Sequence, residues 1–533
     1  MLKKRVYCAV LAGVMGLSLA GCGNKNGADT AKVTEDIQFP ITDQEIELRY
    51  WQPMNSKLAA NVGNIGEVEC LQELQRITGV KLKFESPAVG QDSEQFNLLL
   101  ASKNLPDIIF YKWIGQSQTP DKFIEDGIIQ SLTPYIGTVA TNLDKLMQED
   151  PHTKKEITDD NGDYFMFPML KLDEKLRVNR GFSIRQDWLD KLNLEVPTNK
   201  DELYHVLKAF KENDPNGNGQ ADEIPLVSKK SEGIEALMAM FGTNKDFIQK
   251  DGKVVFGPME PEFKDALEFF NKLYTENLLD VDYSLSDDKA IDAKVTSNSA
   301  GVMYGLGSKL SSWSQTMAKK NPSFKLTALH QFKAPDGKGY MNNRVVINAN
   351  NGYGSAITRD NKYPAVTAKL LDYAYSEEGN RLFNYGVEGK TYTMEDGEPK
   401  FTDLIMKSSD GKSPGDAVSK YCFANVDQAM VLNPDTGLKL NTPETLIIST
   451  DAWKEDYYTG HLLPTMSYTL EENRKMFSTM SDIETYRDEM IDRFIMGAEP
   501  ISNFDSFVAQ LKSMGIEDII KIKQDAYNRF QVK

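Results

Sequence analysis

The sequence predicts an α/β protein of two domains, and three observations support this prediction. Short stretches with period-two alternation of apolar residues are followed by stretches with helical periodicity, and this order recurs along the chain. Strands that alternate with helices at this spacing form parallel or mixed sheets with crossover connections. The chain has 533 residues, enough for two substantial cores, and the pattern restarts after an irregular polar stretch at about residues 140–170.

In the first domain, the alternation of Ile46, Leu48 and Tyr50 predicts a strand that ends at Trp51. A helical pattern then runs from about residue 65 and stops at Gly79. The elements expected after it are a strand at 80–84, a helix at 92–102 that Asp92 and Ser93 cap, and a strand at 108–110.

In the second domain, a strand is expected at 181–184 and a helix at 186–192. Thr198 and Asp201 resemble a capping box that opens the next helix, which continues to about residue 213. The later expected elements are strands at 224–227, 301–304 and 344–349, helices at 261–277 and 363–375, and a mainly helical C-terminal segment.

The N-terminus has the pattern of a secretory signal. Three basic residues precede a short apolar run at 6–20, which is too short to span a bilayer as a mature helix. The following Leu-Ala-Gly-Cys at 19–22 resembles the bacterial lipoprotein box, which implies cleavage before Cys22 and lipidation (palmitate included) of its thiol. A plain signal peptide with a chance cysteine is the alternative. The polar stretch after Cys22 is expected to be a flexible tether, and the mature protein to be anchored by lipid on the outer side of the cell membrane.

The charge of the chain argues against nucleic acid as a partner. Removal of residues 1–21 takes away three basic and no acidic residues, which leaves 58 Lys and Arg against 78 Asp and Glu, a net charge of −20. Such a surface repels phosphate backbones. Beyond the signal, no run of 18 apolar residues predicts a membrane span, and a monomer is expected.

Cysteine and histidine patterns indicate no catalytic or zinc site. Cys70 and Cys422 remain after processing, and they are expected to be two buried thiols, with one disulfide as the alternative. The four histidines are scattered, and we find no P-loop, no GxGxxG after a strand and no GxSxG.

The loop DPNGNGQADEIPL, at residues 214–226, begins like an EF-hand. Oxygen-bearing side chains alternate at Asp214, Asn216 and Asn218, and Gly219 provides a turn. Position twelve, where an EF-hand has a bidentate glutamate, is Pro225. The pattern alone therefore leaves open a calcium site of another kind or a polar turn without metal.

Several stretches resemble one family, the extracellular solute-binding proteins that serve carbohydrate ABC importers. They are LPDIIFYKW, SIRQDWLDKLNLEVPTNKDEL, DGKVVFGPMEPEFKDALEFFNKLYTENLL, AGVMYG and EGKTYTMEDGEPKFTD. The later ones look like the Gram-positive lipoprotein branch, and the similarity covers nearly the whole mature chain. The resemblance implies a two-lobe periplasmic-binding-protein-like fold of type II, in which each lobe is a mixed sheet flanked by helices and the ligand cleft lies between them.

The resemblance also implies a division of the chain and a structural calcium site. The expected units are a signal peptide at 1–21, a lipidated tether at 22–44, lobe I at 45–173 and 325–385, and lobe II at 174–324 and 386–533. Some alginate- and oligosaccharide-binding relatives use a loop like that at 214–226 for Ca2+. The expected calcium donors are Asp214, Asn216, Asn218, the Gln220 carbonyl, Asp222 and Glu223.

The candidate ligand-binding residues follow strands, because open α/β sheets bind ligands at the carboxyl ends of their strands. Sugars present flat C–H faces to aromatic rings and hydroxyl groups to polar side chains. Tyr304 matches the position of a ring-stacking aromatic in maltose-type relatives. The other candidates are Trp51, Gln52, Asn55, Tyr111 and Trp113 in lobe I, Arg185 in lobe II, and Arg344 on a strand that returns to lobe I.

Three further tryptophans have two interpretations each. Trp188 lies in a helix beside Leu189 and Leu192, so core packing is favoured. Trp313, on a helix, and Trp453, in a polar loop, are candidates for ligand contact or for packing.

The expected function is non-catalytic capture of a carbohydrate by hinge closure and its delivery to ABC permease subunits. An exported glycoside-active enzyme with paired carboxylates is one alternative, since 78 acidic residues guarantee close carboxylate pairs. A carbohydrate receptor for a sensor kinase is another, which differs only in its partner. The sequence identifies neither the sugar nor the permease.

Overall fold

The computed structural model describes residues 39–116, 118–173, 176–230, 232–342, 349, 352–440, 451–455 and 457–532. The signal segment, Cys22 and the strand expected at 344–349, except for residue 349, lie outside the described residues. None of the helices in these ranges combines the length and the hydropathy of a membrane-spanning segment.

Two mixed sheets form the centres of two lobes, which confirms the predicted fold class. The larger sheet has the order β2-β1-β3-β12-β4 and the smaller one the order β10-β5-β9-β6. In chain order, the strands are β1 (Ile46–Trp51), β2 (Val80–Glu85), β3 (Ile108–Lys112), β4 (Phe167–Pro168), β5 (Arg180–Arg185), β6 (Ile224–Val227), β7 (Phe247–Lys250), β8 (Lys253–Phe256), β9 (Ala300–Leu306), β10 (Leu326–Ala328), β11 (Gly339–Tyr340), β12 (Tyr353–Ile357), β13 (Tyr392–Glu395), β14 (Glu398–Phe401) and β15 (Tyr457–Tyr458).

Helices cover both sheets and form most of the C-terminal segment. They are α1 (Ser56–Ala59), α2 (Glu69–Thr78), α3 (Asp92–Ser102), α4 (Pro120–Glu125), α5 (Thr141–Glu149), α6 (Pro151–Glu156), α7 (Gln186–Leu192), α8 (Lys200–Glu212), α9 (Gly233–Met238), α10 (Pro261–Thr275), α11 (Asp288–Thr296), α12 (Gly307–Ala318), α13 (Pro364–Asp372), α14 (Glu377–Tyr385), α15 (Asp403–Met406), α16 (Pro414–Ala417), α17 (Pro434–Leu440), α18 (Leu470–Ile495), α19 (Phe504–Ser513) and α20 (Ile516–Val532).

The N-terminal cap of α8 differs from the expected capping box by one residue. Asn199, not Thr198, is the N-cap, and its side chain accepts the backbone N–H groups of Asp201 and Glu202. The Glu202 carboxylate accepts the N–H of Thr198 in turn. The shift lets Glu202 occupy the third helical position, from which it reaches the residue before the cap.

The hydrophobic cores divide the chain differently from the expected lobe boundaries. Residues 386–440, expected in lobe II, pack in the first core through the β13–β14 hairpin, whose Tyr392 and Phe401 contact Tyr385. Strand β10, expected in lobe I, pairs with β5 in the second sheet. The first core therefore spans 41–170 and 349–440, and the second 178–341 and 452–519.

The chain crosses between the cores three times, and backbone hydrogen bonds join the segments beside the crossings. Leu170, at the end of lobe I before the first crossing, donates its N–H to the Met430 carbonyl and accepts that of Leu432, both of which precede the third crossing in the same lobe. Strand β11, before the second crossing, pairs in parallel with β15, after the third. Cys70 and Cys422 are buried free thiols in the first core.

Candidate functional site

Two sheet edges face each other in the crevice between the lobes. Strands β1 to β4 all end at one edge of the first sheet, because β12 runs antiparallel to both β3 and β4. In the second sheet, β6 and β9 end at the edge where β5 begins. Residues 169–179 join the end of β4 to the start of β5, so these two edges are adjacent. This is the edge at which open α/β sheets bind ligands.

At the edge of lobe I, the rings of Trp51 and Tyr111 pack around Phe96. Tyr111 stacks on Phe96 with ring centroids 4.1 Å apart, and Trp51 lies 5.8 Å from Tyr111. Their exposed fractions are only 6% and 9%. Burial raises the pKa of Tyr111, which a hydrogen bond with Ser93 opposes. Both rings therefore stabilise lobe I as well as reaching the crevice edge.

Gln52 is buried and Asn55 is exposed beside this aromatic group. The Gln52 amide donates to the Asp427 carbonyl at 3.2 Å and accepts from the Gln428 amide at 3.1 Å. Asn55 caps α1 by accepting the N–H of Leu58 at 2.8 Å. In this conformation both polar side chains form these hydrogen bonds within lobe I.

Tyr304 lies at the facing edge of lobe II. Its ring packs on Phe182 at 4.9 Å and borders a small cavity of about 20 Å³, which also has His330 and Tyr340 in its wall. That volume is too small for a sugar ring. Nearby, the Arg180 guanidinium forms an ion pair with Glu232 at 3.2 Å.

Lys171 is a half-buried cation on the crossing between the two edges. Burial lowers the pKa of its ammonium group, Asp427 opposes this shift, and Arg180 from the facing edge lowers the pKa further. Within the described part of the chain, the Lys171 side chain has no hydrogen-bond or ion-pair partner. Lys171 is not among the residues predicted from the sequence, because rules for strand ends do not extend into a crossing segment.

Arg185 lies at the wrong end of its sheet for the predicted role. Strand β5 runs antiparallel to β9, so the C-terminal residue of β5 is remote from Tyr304 and adjacent to Leu326. Arg185 is fully buried between the rings of Trp188 and Phe324, which lie 4.5 and 4.4 Å away. The prediction that Arg185 belongs to the cleft is therefore wrong.

Three of the predicted tryptophans are buried within the lobes. Trp113 donates its indole N–H to the Gly354 carbonyl at 3.1 Å, and Trp313 donates to Asp292 at 2.8 Å. Trp453 donates to the Phe182 carbonyl at 3.0 Å, and its indole lies so close to Gly181 that a methyl group there would overlap it. Trp188 is buried against Phe210, as expected. Arg344 lies outside the described residues.

A cavity of about 530 Å³ lies between the lobes, beyond the end of β3. Lobe I contributes residues 114–116, 118–121, 155–156, 158–160 and Phe165, while lobe II contributes Phe247, Phe530 and residues from the start of α18. Two contacts bridge the lobes beside it: the Asn473 amide donates to the Gln116 carbonyl at 2.9 Å, and the Ser467 hydroxyl donates to Asp160. Its volume is that of a ligand pocket.

The wall of this cavity combines apolar rings with buried acceptors. Asp159 is 5% exposed, and its Oδ2 atom, like the hydroxyl of Thr119, has no hydrogen-bond partner among the described residues. Burial raises the pKa of Asp159, and hydrogen bonds from two backbone N–H groups oppose this shift. The exposed Phe477 also borders the cavity. None of the nine predicted ligand residues that the structure describes borders it, because distant loops and the C-terminal helices form its wall.

The loop at 214–222 folds around two carboxylates. Asp214 accepts the backbone N–H groups of Gly217, Asn218 and Gly219 at 2.9–3.1 Å. Asp222 accepts from the side-chain amides of Asn216 and Asn218 at 2.8–3.1 Å. The loop therefore has the compact turn that an oxygen-ligand site requires.

Glu223, at the end of this loop, is buried with one unsatisfied oxygen. It is 2% exposed, and its Oε1 atom has no partner in the described structure. Burial raises the pKa of Glu223, and the charges of Asp222 and Asp214 raise it further. The described residues contain no group of three or more His, Cys, Asp and Glu side chains already arranged around a metal position. The donor types still fit Ca2+, which would offset the repulsion among these three carboxylates.

Comparison with known proteins identifies one family. The family model for bacterial extracellular solute-binding protein matches residues 69–381. The fructooligosaccharide ABC transporter substrate-binding protein FusA of Streptococcus pneumoniae serotype 4 is 27% identical, with 96% of each chain covered. Lipoprotein LipO of Bacillus subtilis is also 27% identical, with 76% of each chain covered.

A solved structure agrees with the sequence comparison. The alginate-binding protein AlgQ2, in its crystal structure without calcium ion, has a TM-score of 0.74 to this chain at 26% identity. The alignment covers 91% of this chain and 99% of AlgQ2.

We predict that Arg185→Met destabilises the protein by about 3 kcal/mol, because it leaves Asp187 with 13% side-chain exposure and no guanidinium partner. Urea denaturation measures the change. Arg76→Met is the matched control, since its pair with Glu73 is exposed on the arginine side and should contribute less than about 1 kcal/mol. Equal effects of the two substitutions would contradict a structural role for Arg185.

Proposed function

The chain belongs to the family of bacterial extracellular solute-binding proteins, and from this premise we propose that it is a non-catalytic substrate-binding lipoprotein of an ABC importer. It captures an oligosaccharide outside the cell by closure of its two lobes and delivers it to permease subunits in the membrane. The relatives are named as substrate-binding proteins, so the chain is not an enzyme.

The observation that carries this proposal is the inter-lobe cavity of about 530 Å³ beside the facing sheet edges. Its wall comes from both lobes, so a ligand there would contact both at once. When the lobes close around a ligand, the ligand gains contacts with the second lobe that the open state lacks. The rings of Phe165, Phe247 and Phe477 suit sugar faces, and buried acceptors such as Asp159 suit hydroxyl groups.

We further propose that the binding crevice extends from this cavity to the strand-end residues. Residues 113–116 connect the end of β3 directly to the cavity. Trp51, Tyr111 and Tyr304 would then border the ligand at the sheet edges, with Gln52 and Asn55 beside them. Arg344 stays a candidate from the sequence. Trp113, Trp313 and Trp453 would support the crevice from within the lobes.

We propose Ca2+ as a structural ion in the loop at 214–223, with Asp214, Asn216, Asn218, the Gln220 carbonyl, Asp222 and Glu223 as donors. The unsatisfied oxygen of Glu223 and the mutual repulsion of three carboxylates support this assignment. The similar structure of AlgQ2 is described as without calcium ion, which connects that protein to the same cation. A bound cation would brace the connection between α8 and β6.

We propose that Cys22 carries the lipid that holds the protein, as a monomer, on the outer side of the membrane. The support is the Leu-Ala-Gly-Cys segment and the likeness to a lipoprotein, LipO. Two or more acyl chains anchor a protein stably, which one chain alone does not.

The proposed function predicts binding of an intact oligosaccharide. A thermal-shift screen of oligosaccharides identifies the ligand, and calorimetry gives its affinity. We expect Phe477→Ala and Tyr304→Ala to weaken binding about tenfold, because each removes one ring face from the sugar. Phe477 is 46% exposed, so its removal should leave the unliganded melting temperature unchanged.

Met496→Ala is the control for this experiment, because Met496 ends the same helix but does not border the cavity. Equal affinities of the Phe477 and Met496 variants would argue against the cavity as the binding site. Time-dependent shortening of the sugar by pure protein would instead favour the glycoside-active alternative.

The calcium proposal predicts that chelation lowers the melting temperature. Free calcium at about a hundredfold its dissociation constant adds roughly 2.7 kcal/mol to stability. Asp214→Ala should remove the sensitivity to EGTA, whereas Asp410→Ala, an exposed loop acid in lobe I, should preserve it. An identical melt of the unsubstituted protein with and without EGTA would refute a stabilising ion.

The anchor proposal predicts that Cys22→Ser moves the protein from the detergent phase to the aqueous phase in phase partitioning. Palmitate labelling should be lost in the same variant. Cys70→Ser is the control, because Cys70 is buried in lobe I and does not end a lipobox. Retained labelling of Cys22→Ser would show that the lipid is attached elsewhere, which would overturn Cys22 as the anchor.

A further inference from the structure

Lobe I is built from two separate parts of the chain, residues 41–170 and 349–440, and lobe II lies between them in the sequence. Helix α2 belongs to the first part, and the segment that follows α16 belongs to the second. Cys70 lies in the first turn of α2, and Cys422 lies in that later segment. Both are fully buried in the same core. The two cysteines therefore lie on either side of the junction within lobe I.

A backbone hydrogen bond fixes the distance between these cysteines. The N–H of Cys70 donates to the Tyr421 carbonyl, with the nitrogen and oxygen atoms 2.9 Å apart. That carbonyl belongs to the peptide bond that joins Tyr421 to Cys422. Standard bond lengths and a trans peptide then limit the distance between the Cα atoms of Cys70 and Cys422 to less than about 7 Å. A disulfide can join Cα atoms within about 7 Å without backbone movement, so the pair meets this requirement.

Further contacts hold the two parts of lobe I in this register. The Glu69 carboxylate forms an ion pair with Lys390 at 2.6 Å. The side-chain amide of Asn61 donates to the Ser419 hydroxyl at 3.1 Å, and its oxygen accepts from Lys412 at 2.6 Å. Each of these contacts joins the same two parts of the chain. The approach of the cysteines is therefore a property of the folded lobe and does not depend on one hydrogen bond.

The thiol groups are unreactive once lobe I has folded. Cys422 donates its S–H to the Asn384 carbonyl at 3.3 Å. Burial raises the pKa of Cys422 to about 12. Burial also raises the pKa of Cys70 well above its ordinary value, and the neighbouring Cys422 raises it further. Because the thiolate is the reactive form, a bond between the two sulfur atoms must form while the lobe is still assembling.

We propose that Cys70 and Cys422 form a disulfide as the chain folds outside the cell, and that this bond joins the two parts of lobe I. The inference goes beyond the proposed function and takes from it only the export of the chain. Disulfides form and persist in oxidising extracellular environments. With Cys8 removed in the signal and Cys22 lipidated, these are the two thiols left in the mature chain. Both lie in one lobe, so the bond leaves closure of the lobes free.

The bond forms by exchange with a disulfide-containing oxidant on the outer side of the membrane. The thiolate of one cysteine attacks a sulfur atom of the oxidant, forms a mixed disulfide and releases one oxidant thiol. The thiolate of the second cysteine then displaces the remaining oxidant sulfur. In total, the two thiols lose two protons and two electrons and gain one Sγ–Sγ bond, while the oxidant disulfide becomes two thiols.

Mass spectrometry tests for the bond directly. The full-length protein is isolated from the surface of the bacterium that encodes it, alkylated under denaturing conditions without reduction, and digested. We expect one cross-linked pair of peptides that contains Cys70 and Cys422 and is lighter by two hydrogen atoms than the two thiol peptides together. Alkylation of both cysteines, or a small thiol attached to either one, would overturn the proposal.

Thermal melts test the effect of the bond on stability. The oxidised protein should melt about 5–10 °C above the same protein after reduction, because the bond closes a loop over residues 70–422 and restricts the unfolded chain. The comparison uses two redox states of one sequence, so no core residue is replaced. Cys70→Ala is the control, and its melting temperature should not depend on the reductant. Equal melting temperatures of the oxidised and reduced protein would contradict a bond that joins the two parts of lobe I.

Sugar binding separates this inference from the proposed function. Neither cysteine borders the inter-lobe cavity or the small cavity beside Tyr304, so the sugar found in the screen should bind the oxidised and the reduced protein equally. A difference in affinity of more than about threefold would show that the bond affects lobe closure and would overturn that part of the proposal. Two free thiols in a protein that binds its sugar would overturn the inference alone. A cross-linked protein that binds no oligosaccharide would overturn the proposed function alone.

Discussion

The antiparallel strands β5 and β12 determine where every other part of the crevice lies. Strand β12 makes β3 and β4 end at the same edge, and the chain leaves that edge to enter lobe II at the start of β5. Since β5 runs against β9, the C-terminal end of β9 faces back toward lobe I. The two lobes therefore present their strand ends to each other, and Tyr304, Arg180 and Lys171 lie in one crevice.

This arrangement leaves different chemistry at different points of the crevice. Near the first crossing lies the half-buried ammonium group of Lys171, whereas the cavity beyond β3 has aromatic and thioether surfaces with isolated buried acceptors such as Asp159. The segments beside the crossings are also joined to each other, through Leu170 in lobe I and through the β11–β15 pair in lobe II. Bending at one crossing must therefore be accommodated at its neighbour, which favours a concerted movement of the lobes.

Local elements of the fold were predictable from the sequence because their signals are local. Helix α7 begins and ends where expected, and Asn193 terminates it with a positive φ of 55°. The placement of Arg185 was not predictable, since no local pattern states whether β5 runs parallel or antiparallel to a strand more than a hundred residues later. The cavity was missed for the same reason: segments near residues 115, 160, 247 and 470 meet only in three dimensions.

The packing of Trp453 on Gly181 has a consequence for the way in which the chain reaches its native state. Gly181 follows the first crossing and Trp453 the third, so the second core is complete only when the last part of the chain is present. The first core likewise needs residues 349–440. Such long sequence separations slow folding. A chain that emerges N-terminus first on the outer side of a membrane would therefore stay unfolded until most of it has been translocated. An unfolded chain suits passage through a narrow export channel. The crevice would then form only when both lobes are outside.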